Sequence, residues 1–223
     1  MIALLLACEE LPSTDVMNDE LALTALVTTD GSSTQIDAKV QRGQGLGWTP
    51  VHVAGEEALV ATWDGDDHTL EAVELGLGDV GYTTTVSAAS DGADLGVRFD
   101  RTADDTIEGT SVAVPPEFEI TAPLPGAGVA ADTALIVLWD GSWEEGTITL
   151  SFSGECIPGW EVTDADDVGE LDIPAEALAS EGAACGATLT LVRTAAGTLS
   201  EAWGAGGSIS AQNGRAVTVA VGN

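Results

Sequence analysis

The sequence feature that most restricts the fold is a series of short apolar runs separated by turn residues. Four Asp-Gly pairs, at positions 30–31, 64–65, 91–92 and 140–141, interrupt these runs. Asp-Gly favours the tight turns of β-hairpins, because both residues adopt positive φ at low cost. The runs recur about every 8–15 residues, a spacing that is typical of β-sandwiches.

Alternation within the runs indicates strands that have one buried face. From Ile36 to Gln41, apolar and polar residues alternate without a break. A period of two places the apolar residues on one side of a strand. Only Pro174–Ser180 has helical character, since proline stands ahead of alanine, glutamate and leucine. The glycine-rich segment Gln41–Pro50 is instead typical of a loop.

An internal repeat divides the chain into two halves. Ala58–Gly65 aligns with Ala134–Gly141, and Arg-Thr-Ala occurs at 101–103 and again at 193–195. Unless Trp-Asp-Gly ends both apolar strands by chance, the repeat predicts an all-β fold of two tandem antiparallel β-sandwich domains with one short helical turn. The expected divisions are a signal remnant at 1–8, a polar tether at 9–19, and β-sandwich domains at 20–115 and 116–223.

The charge of the chain restricts its partners. Six basic and 37 acidic residues give a formal net charge of −31, while 44% hydrophobic residues supply a core. We therefore expect a folded, monomeric protein with an acidic surface. Nucleic acid is excluded as a partner, because phosphate binding needs clusters of lysine and arginine. Mutual repulsion among the carboxylates also predicts that stability increases with salt.

The first residues suggest a lipid anchor. Residues 2–7 are apolar, and Leu5-Leu6-Ala7-Cys8 resembles the lipobox of bacterial lipoproteins. The resemblance implies that Cys8 carries a diacylglyceryl group and anchors the protein in the membrane of the cell envelope. Glu9 is not the aspartate that retains lipoproteins at the inner membrane, which favours the outer membrane or cell surface. The alternative is an apolar N-terminal strand with a buried cysteine.

The remaining cysteines, Cys156 and Cys185, suit a disulfide. They lie 29 residues apart, and a lipidated Cys8 would leave them as a pair. The alternative is two buried thiols in a reducing compartment. A metal site is not favoured, because no CxxC or histidine cluster accompanies the cysteines.

The second half resembles a known architecture. Ala122-Pro-Leu-Pro125, followed by an apolar run that ends at Trp139, resembles the fibronectin type III and immunoglobulin-like families. The resemblance implies an immunoglobulin-like fold for each sandwich and assigns no functional residue. The chain as a whole resembles the acidic surface lipoproteins of bacteria.

Residues suited to catalysis are few. The two histidines are His52, between two valines, and His68, which follows the acidic turn Asp64–Asp67. There is no GxSxG motif around a nucleophilic serine. We therefore expect no enzyme activity and keep a secreted hydrolase only as the last alternative.

Two features are candidates for ligand binding. Asp164, Asp166 and Asp167 lie in an acidic stretch that could hold Ca²⁺ between strands, or could simply be a solvated loop. Trp143, next to Ser142 and Glu144, is the best platform for a glycan or peptide. Four tryptophans are expected to be partly exposed (Trp48, Trp143, Trp160 and Trp203), whereas Trp63 and Trp139 end apolar runs and are expected in the core.

The sequence thus predicts a non-catalytic, lipid-anchored envelope protein that displays β-sandwich modules to an unknown protein or glycan partner. The first alternative is a Ca²⁺-dependent or carbohydrate-binding adhesion module.

Overall fold

The protein is an all-β molecule, as the sequence predicts. A computed structural model describes residues 11–44, 47–76, 78–87, 92–179 and 184–222, without the side chains of residues 44 and 47. Short 3₁₀ turns occur at Ser13–Asp15, Asn18–Glu20 and Ala175–Leu178, and the last of these lies within the predicted helical turn. Within these ranges no helix is long and apolar enough to cross a membrane.

Eighteen strands are described. In chain order they are β1 (Leu11–Pro12), β2 (Leu21–Thr29), β3 (Thr34–Gln44), β4 (Gly47–His52), β5 (Ala58–Trp63), β6 (Asp66–Thr69), β7 (Glu71–Gly76), β8 (Asp79–Val86), β9 (Asp94–Asp100), β10 (Ile107–Ala113), β11 (Ile120–Ala122), β12 (Gly128–Ala130), β13 (Leu135–Trp139), β14 (Thr147–Gly154), β15 (Trp160–Asp166), β16 (Glu170–Ile173), β17 (Cys185–Ala196) and β18 (Gly206–Gly222).

One large sheet runs through both halves of the chain. Its eleven strands include the path β1-β4-β3-β2-β18-β17-β14-β15, with β7, β8 and β12 attached beside it. A four-stranded sheet, β10-β9-β5-β6, covers the first half, and a three-stranded sheet, β11-β13-β16, covers the second. Two open sandwiches are therefore built on one shared sheet.

The two hydrophobic cores lie on the same face of the shared sheet. Along β18, Ile209 and Ala211 belong to the first core, and Val217, Val219 and Val221 belong to the second. All five have odd numbers, so they point to one side of the strand. The second core is formed by residues between Phe118 and Val221 alone. The first core, in contrast, takes Ala195, Trp203, Ile209 and Ala211 from the C-terminal part of the chain.

Residues 11–20 are packed, although the sequence suggested a polar tether at 9–19. Leu11 and Pro12 pair with β4, and Ser13 and Val16 are buried. The physical reason is that Val16 fills the first core, while carbonyl oxygens of this segment accept hydrogen bonds from Arg101. Residues 9 and 10 lie outside the described ranges, and the division at 115/116 stays a prediction.

The segment Gln41–Pro50, predicted as a loop, is mostly strand. β3 continues to Gln44, and β4 begins at Gly47 and pairs with it. Glycine content misled the prediction, because Gly43 lies where a side chain would meet the Trp48 ring and Ala205.

A disulfide joins Cys156 to Cys185, with 6.0 Å between the Cα atoms. It links the turn between β14 and β15 to the start of β17. The predicted pairing is confirmed.

Candidate functional site: the groove beside β7

An apolar groove lies on the outer face of the shared sheet, beside the edge strand β7. β7 pairs with β8 on one side, and no other described strand pairs with it. All six of its residues are exposed, whereas β8 buries Val80, Tyr82 and Val86 against the first core. The β7–β8 hairpin thus presents its outer strand to solvent.

The groove has its floor at Gly81. Val73 of β7 pairs with Gly81 of β8, and a Cβ atom at Gly81 would lie 3.1 Å from Cδ1 of Leu75. The missing side chain therefore lets Leu75 fold over the sheet. The pairing of β7 with β8 is irregular between Glu74 and Gly76, and such bulges redirect side chains.

The walls of the groove come from four strands. Leu26 of β2, Val73 and Leu75 are more than one third exposed although apolar. The cavity has a volume of about 360 Å³ and is lined by Thr24, Leu26, Gln35, Asp37, Ala38, Lys39, Val73, Leu75, Gly81, Tyr82 and Thr83. A volume of this size suits a few apolar side chains of a ligand.

The rim of the groove is acidic. Lys39 forms an ion pair with Asp79 at 2.6 Å. Asp37 accepts hydrogen bonds from Gln35 Nε2 and from Thr83 Oγ1. Glu71 of β7 pairs with Thr83 on this outer face, whereas Glu74 pairs with the buried Val80 and points to the opposite face of the hairpin. Neither glutamate has a hydrogen-bond or ion-pair partner in the part of the chain that is described. On this face, one lysine therefore stands among three carboxylates, those of Asp37, Asp79 and Glu71.

Tyr82 fixes the inner side of the hairpin. Its hydroxyl donates to the Val51 carbonyl oxygen at 3.2 Å and accepts from the Val53 amide at 2.7 Å. Burial raises the pKa of Tyr82, against a smaller opposite effect of the Val53 hydrogen bond. The phenol thus stays neutral and ties β8 to β4.

The chemistry of the lining favours binding. None of the residues that line the groove is histidine, cysteine or serine. The lining combines apolar side chains with neutral polar groups, one carboxylate (Asp37) and one lysine (Lys39), and it can desolvate an apolar ligand. The further carboxylates at the rim favour a ligand that carries positive charge.

The predicted calcium residues are not brought together as ligands. Asp167 is buried, accepting hydrogen bonds from Trp139 Nε1 at 2.7 Å and from Arg193 Nε at 2.6 Å. Asp164 and Asp166 lie exposed on β15, where the sequence suggested a loop. Among the described residues, no three His, Cys, Asp or Glu side chains form a group suited to a metal ion.

The acidic turn at residues 64–67 has a structural partner. Arg98 donates to both carboxylate oxygens of Asp67 at 2.7 and 2.8 Å. These hydrogen bonds from Arg98 lower the pKa of Asp67. His68 lies on β6 opposite Ala61, and His52 ends β4, so the histidines stand on different sheets.

Trp143 is not a free platform. It is partly buried against the first core, and its ring lies over Gly146.

Trp203, also expected to be exposed, is 2% exposed and stacks on Phe99 with ring centroids 5.9 Å apart. Trp48 is exposed and Trp160 partly buried, while Trp63 and Trp139 lie in the cores as predicted. Cys8, the predicted lipidation site, lies outside the described residues.

The sequence prediction missed the groove. The sequence signal for the groove is the alternation of glutamate with Val73 and Leu75 in β7, a strand in which no residue is buried. That signal becomes meaningful only when Gly81 and Leu26 are known to lie beside it.

Comparisons with known proteins give general likeness only. No protein-family model and no curated protein matches the chain. Among solved structures, chicken CNTN1 FN1-FN3 domains match at 8% identity and a TM-score of 0.28, covering 91% of this chain and 66% of that one. A bacterial ice-binding adhesin matches at 13% identity and a TM-score of 0.25, covering 89% of this chain and 63% of that one. DIP-gamma IG1+IG2 matches at 8% identity and a TM-score of 0.25, covering 91% of this chain and 99% of that one.

This chain therefore spans slightly less than two thirds of the length of the first two structures. The neighbours are immunoglobulin and fibronectin type III domains and an adhesin, but scores this low support no argument about function.

Proposed function

We propose that this protein is a non-catalytic, lipid-anchored module of the bacterial cell envelope that binds a partner protein at the β7 groove. The observation that carries the binding role is the exposed apolar surface formed by Leu26, Val73 and Leu75. Exposed apolar side chains that converge on a groove mark interaction sites more often than isolated ones do.

Two features support a position outside the cytoplasm. The Cys156–Cys185 disulfide suits an oxidising compartment. The Leu5–Cys8 segment resembles a lipobox, and only Glu9 and Glu10 separate Cys8 from Leu11, where the described structure begins. Three residues span at most about 11 Å, so the sandwiches would be held close to the lipid surface.

The anchor is tested by expressing the chain behind a positively charged n-region in a bacterium that processes lipoproteins. We expect Cys8 to carry lipid by mass spectrometry and the protein to fractionate with membranes. The Cys8→Ser variant should be recovered in the soluble fraction. An unmodified Cys8, or a Cys8→Ser variant that still fractionates with membranes, contradicts the anchor.

The binding role is tested by photo-crosslinking of the anchored protein in the organism that produces it. A photoreactive phenylalanine analogue is placed at Leu75 in the groove or, as a control, at Ile136. Both positions are exposed and apolar, but Ile136 lies on β13 in the second sandwich. A discrete protein adduct at position 75 and none at position 136 is expected. Equal adducts at both positions, or none at 75, contradict the binding role.

A further inference from the structure

We infer that the partner contributes a basic β-strand, which pairs with the free edge of β7 and places apolar side chains beside Val73 and Leu75. This inference rests on the proposed binding role of the groove and adds the chemical class of the occupant. Three separate properties of the site point to it: the backbone edge, the apolar face and the charge.

The backbone edge is available for pairing. β7 is six residues long, about 20 Å at the usual rise of a strand. It contains no proline, and its pairing with β8 is regular from Glu71 to Glu74, before the bulge that precedes Gly76. Since β7 pairs only with β8 among the described strands, the backbone groups on its other side can accept an added strand.

The apolar face is positioned for alternate side chains of such a strand. Across the outer face, Leu26 pairs with Asp37, Asp37 with Thr83, and Thr83 with Glu71. The same face continues over β18 with polar residues, Ser208, Ser210 and Gln212. Leu26 therefore lies three strands from β7, about 14 Å at the usual strand spacing. The apolar side chains within reach of an added strand are Val73 and Leu75, which belong to β7 itself and line the outer face.

The charge selects a basic strand and excludes a second copy of this chain. Glu71 and Glu74 stand on the edge strand itself, and Asp37 lines the groove. A second copy would approach this edge with the same two glutamates on its own β7 and with a net charge of −31. Like charges across paired strands are destabilising, whereas lysine or arginine opposite the glutamates is favourable.

The test uses the full chain with Cys8→Ser, so that lipid anchoring does not enter the measurement. The probe is a synthetic peptide, acetyl-Lys-Val-Lys-Val-Lys-Val-Lys-amide, and the comparison peptide has glutamate in place of every lysine. We expect saturable binding of the lysine peptide with one-to-one stoichiometry. Hydrogen exchange should become slower in residues 71–76 and stay unchanged in 135–139. The glutamate peptide should not bind.

Variants separate groove binding from general attraction to an acidic protein. Leu75→Ser should weaken binding about tenfold, as expected for the loss of one well-buried apolar contact. Glu74→Gln should weaken it about threefold, in line with a single exposed ion pair. The matched controls Ile136→Ser and Glu108→Gln, which change exposed residues outside the groove, should leave the affinity unchanged.

The inference is overturned if Leu75→Ser binds the lysine peptide as tightly as Ile136→Ser does, or if protection falls outside residues 71–76. It is also overturned if the glutamate peptide binds equally. A crosslinked adduct at position 75 together with failure of the lysine peptide would retain the binding role and reject the basic strand. Absence of the adduct would reject the binding role itself.

Discussion

Arg193 and Asn213 face each other across β17 and β18, and both donate a hydrogen bond to the carbonyl oxygen of Pro116. Their side chains are buried between the two hydrophobic cores, on the same face of the shared sheet. Asn213 also donates to the Pro115 carbonyl oxygen. The segment that joins the halves of the chain is thus fixed to the sheet, so the two sandwiches form one body.

The first prediction concerns the buried ion pair of Arg193 with Asp167. Both side chains are at most 1% exposed. Arg193→Met would leave the Asp167 carboxylate buried without a counter-charge, and we expect a loss of about 3–5 kcal/mol in the free energy of unfolding. Urea denaturation monitored by tryptophan fluorescence measures this loss.

The control is the exposed pair of Arg98 with Asp67. Arg98→Met should cost no more than about 1 kcal/mol, because solvent screens that pair. The double variant Arg193→Met with Asp167→Asn should recover part of the loss, since no charge is then buried. Equal costs for Arg193→Met and Arg98→Met would be incompatible with this explanation.

The second prediction is that the two halves of the chain differ in their ability to fold alone. Residues 116–223 contain every member of the second core. The first core needs Trp203 and Ile209, and β2 pairs in parallel with β18 over residues 206–213. Fragment 116–223 should therefore unfold cooperatively, whereas fragment 1–115 should not. Circular dichroism melting of the two fragments, and of their mixture, measures this difference. Cooperative melting of 1–115 alone would show that the first sandwich is self-sufficient.

Local patterns were enough to predict much of the fold. Strict alternation in β3, the Trp-ending strands β5 and β13, and the disulfide were all predicted from the sequence. The shared sheet was not, because β18 pairs with β2 across more than 180 residues of sequence. Such non-local pairing leaves no trace in a short window of the chain.

The burial of polar side chains could not be predicted from the sequence either. Asp167 stands in an acidic stretch that suggested a solvated loop, yet Trp139 and Arg193 hold it in the interior. The Arg-Thr-Ala repeat did mark two buried arginines, although Arg101 follows β9 of the four-stranded sheet and Arg193 lies on β17 of the shared sheet. The groove depends on Gly81 lying beside Leu75, which only the tertiary pairing establishes.

The third prediction is a pH dependence at Glu57, which forms a buried ion pair with Arg101. Burial raises the pKa of Glu57, but hydrogen bonds from Ser13, the Ala103 and Thr102 amides and Arg101 outweigh it, so the pKa is lowered. A lowered pKa in the folded state means that the ionised carboxylate stabilises the fold. That contribution is complete above the unfolded pKa of about 4.3 and is lost as pH falls through the folded value.

Glu57→Gln should therefore destabilise the protein by about 3 kcal/mol at pH 7, because Arg101 stays buried without its partner. The difference from the wild type should shrink as the pH is lowered below about 4. Urea unfolding of both proteins at neutral and acidic pH measures the difference in their free energies of unfolding at each pH. The exposed Glu108→Gln is the control. An equal difference in the free energy of unfolding at both pH values would contradict ionisation of Glu57 as the cause.

The fourth prediction concerns the Cys156–Cys185 disulfide, whose cysteines are 29 residues apart. Closing a loop of this length stabilises by about 3–4 kcal/mol on the chain-entropy model. The double variant Cys156→Ser with Cys185→Ser should lose about this amount in urea unfolding, while Cys8→Ser should lose none. Thiol counting in denaturant without reductant should find neither Cys156 nor Cys185 free. Two reactive thiols at these positions would refute the pairing.

The final prediction follows from the net charge of −31. All the basic side chains are already engaged: Lys39, Arg42 and Arg98 pair with surface carboxylates, Arg101 and Arg193 are buried, and Arg215 lies over Phe118. The remaining acids repel one another, and salt screens that repulsion. The melting temperature should therefore rise between about 0.05 M and about 1 M NaCl. Replacing the exposed Glu144 and Glu145 with lysine should flatten the increase, because the net charge is reduced. A melting temperature independent of salt in the wild type would mean that the carboxylates are too dispersed for their repulsion to affect stability.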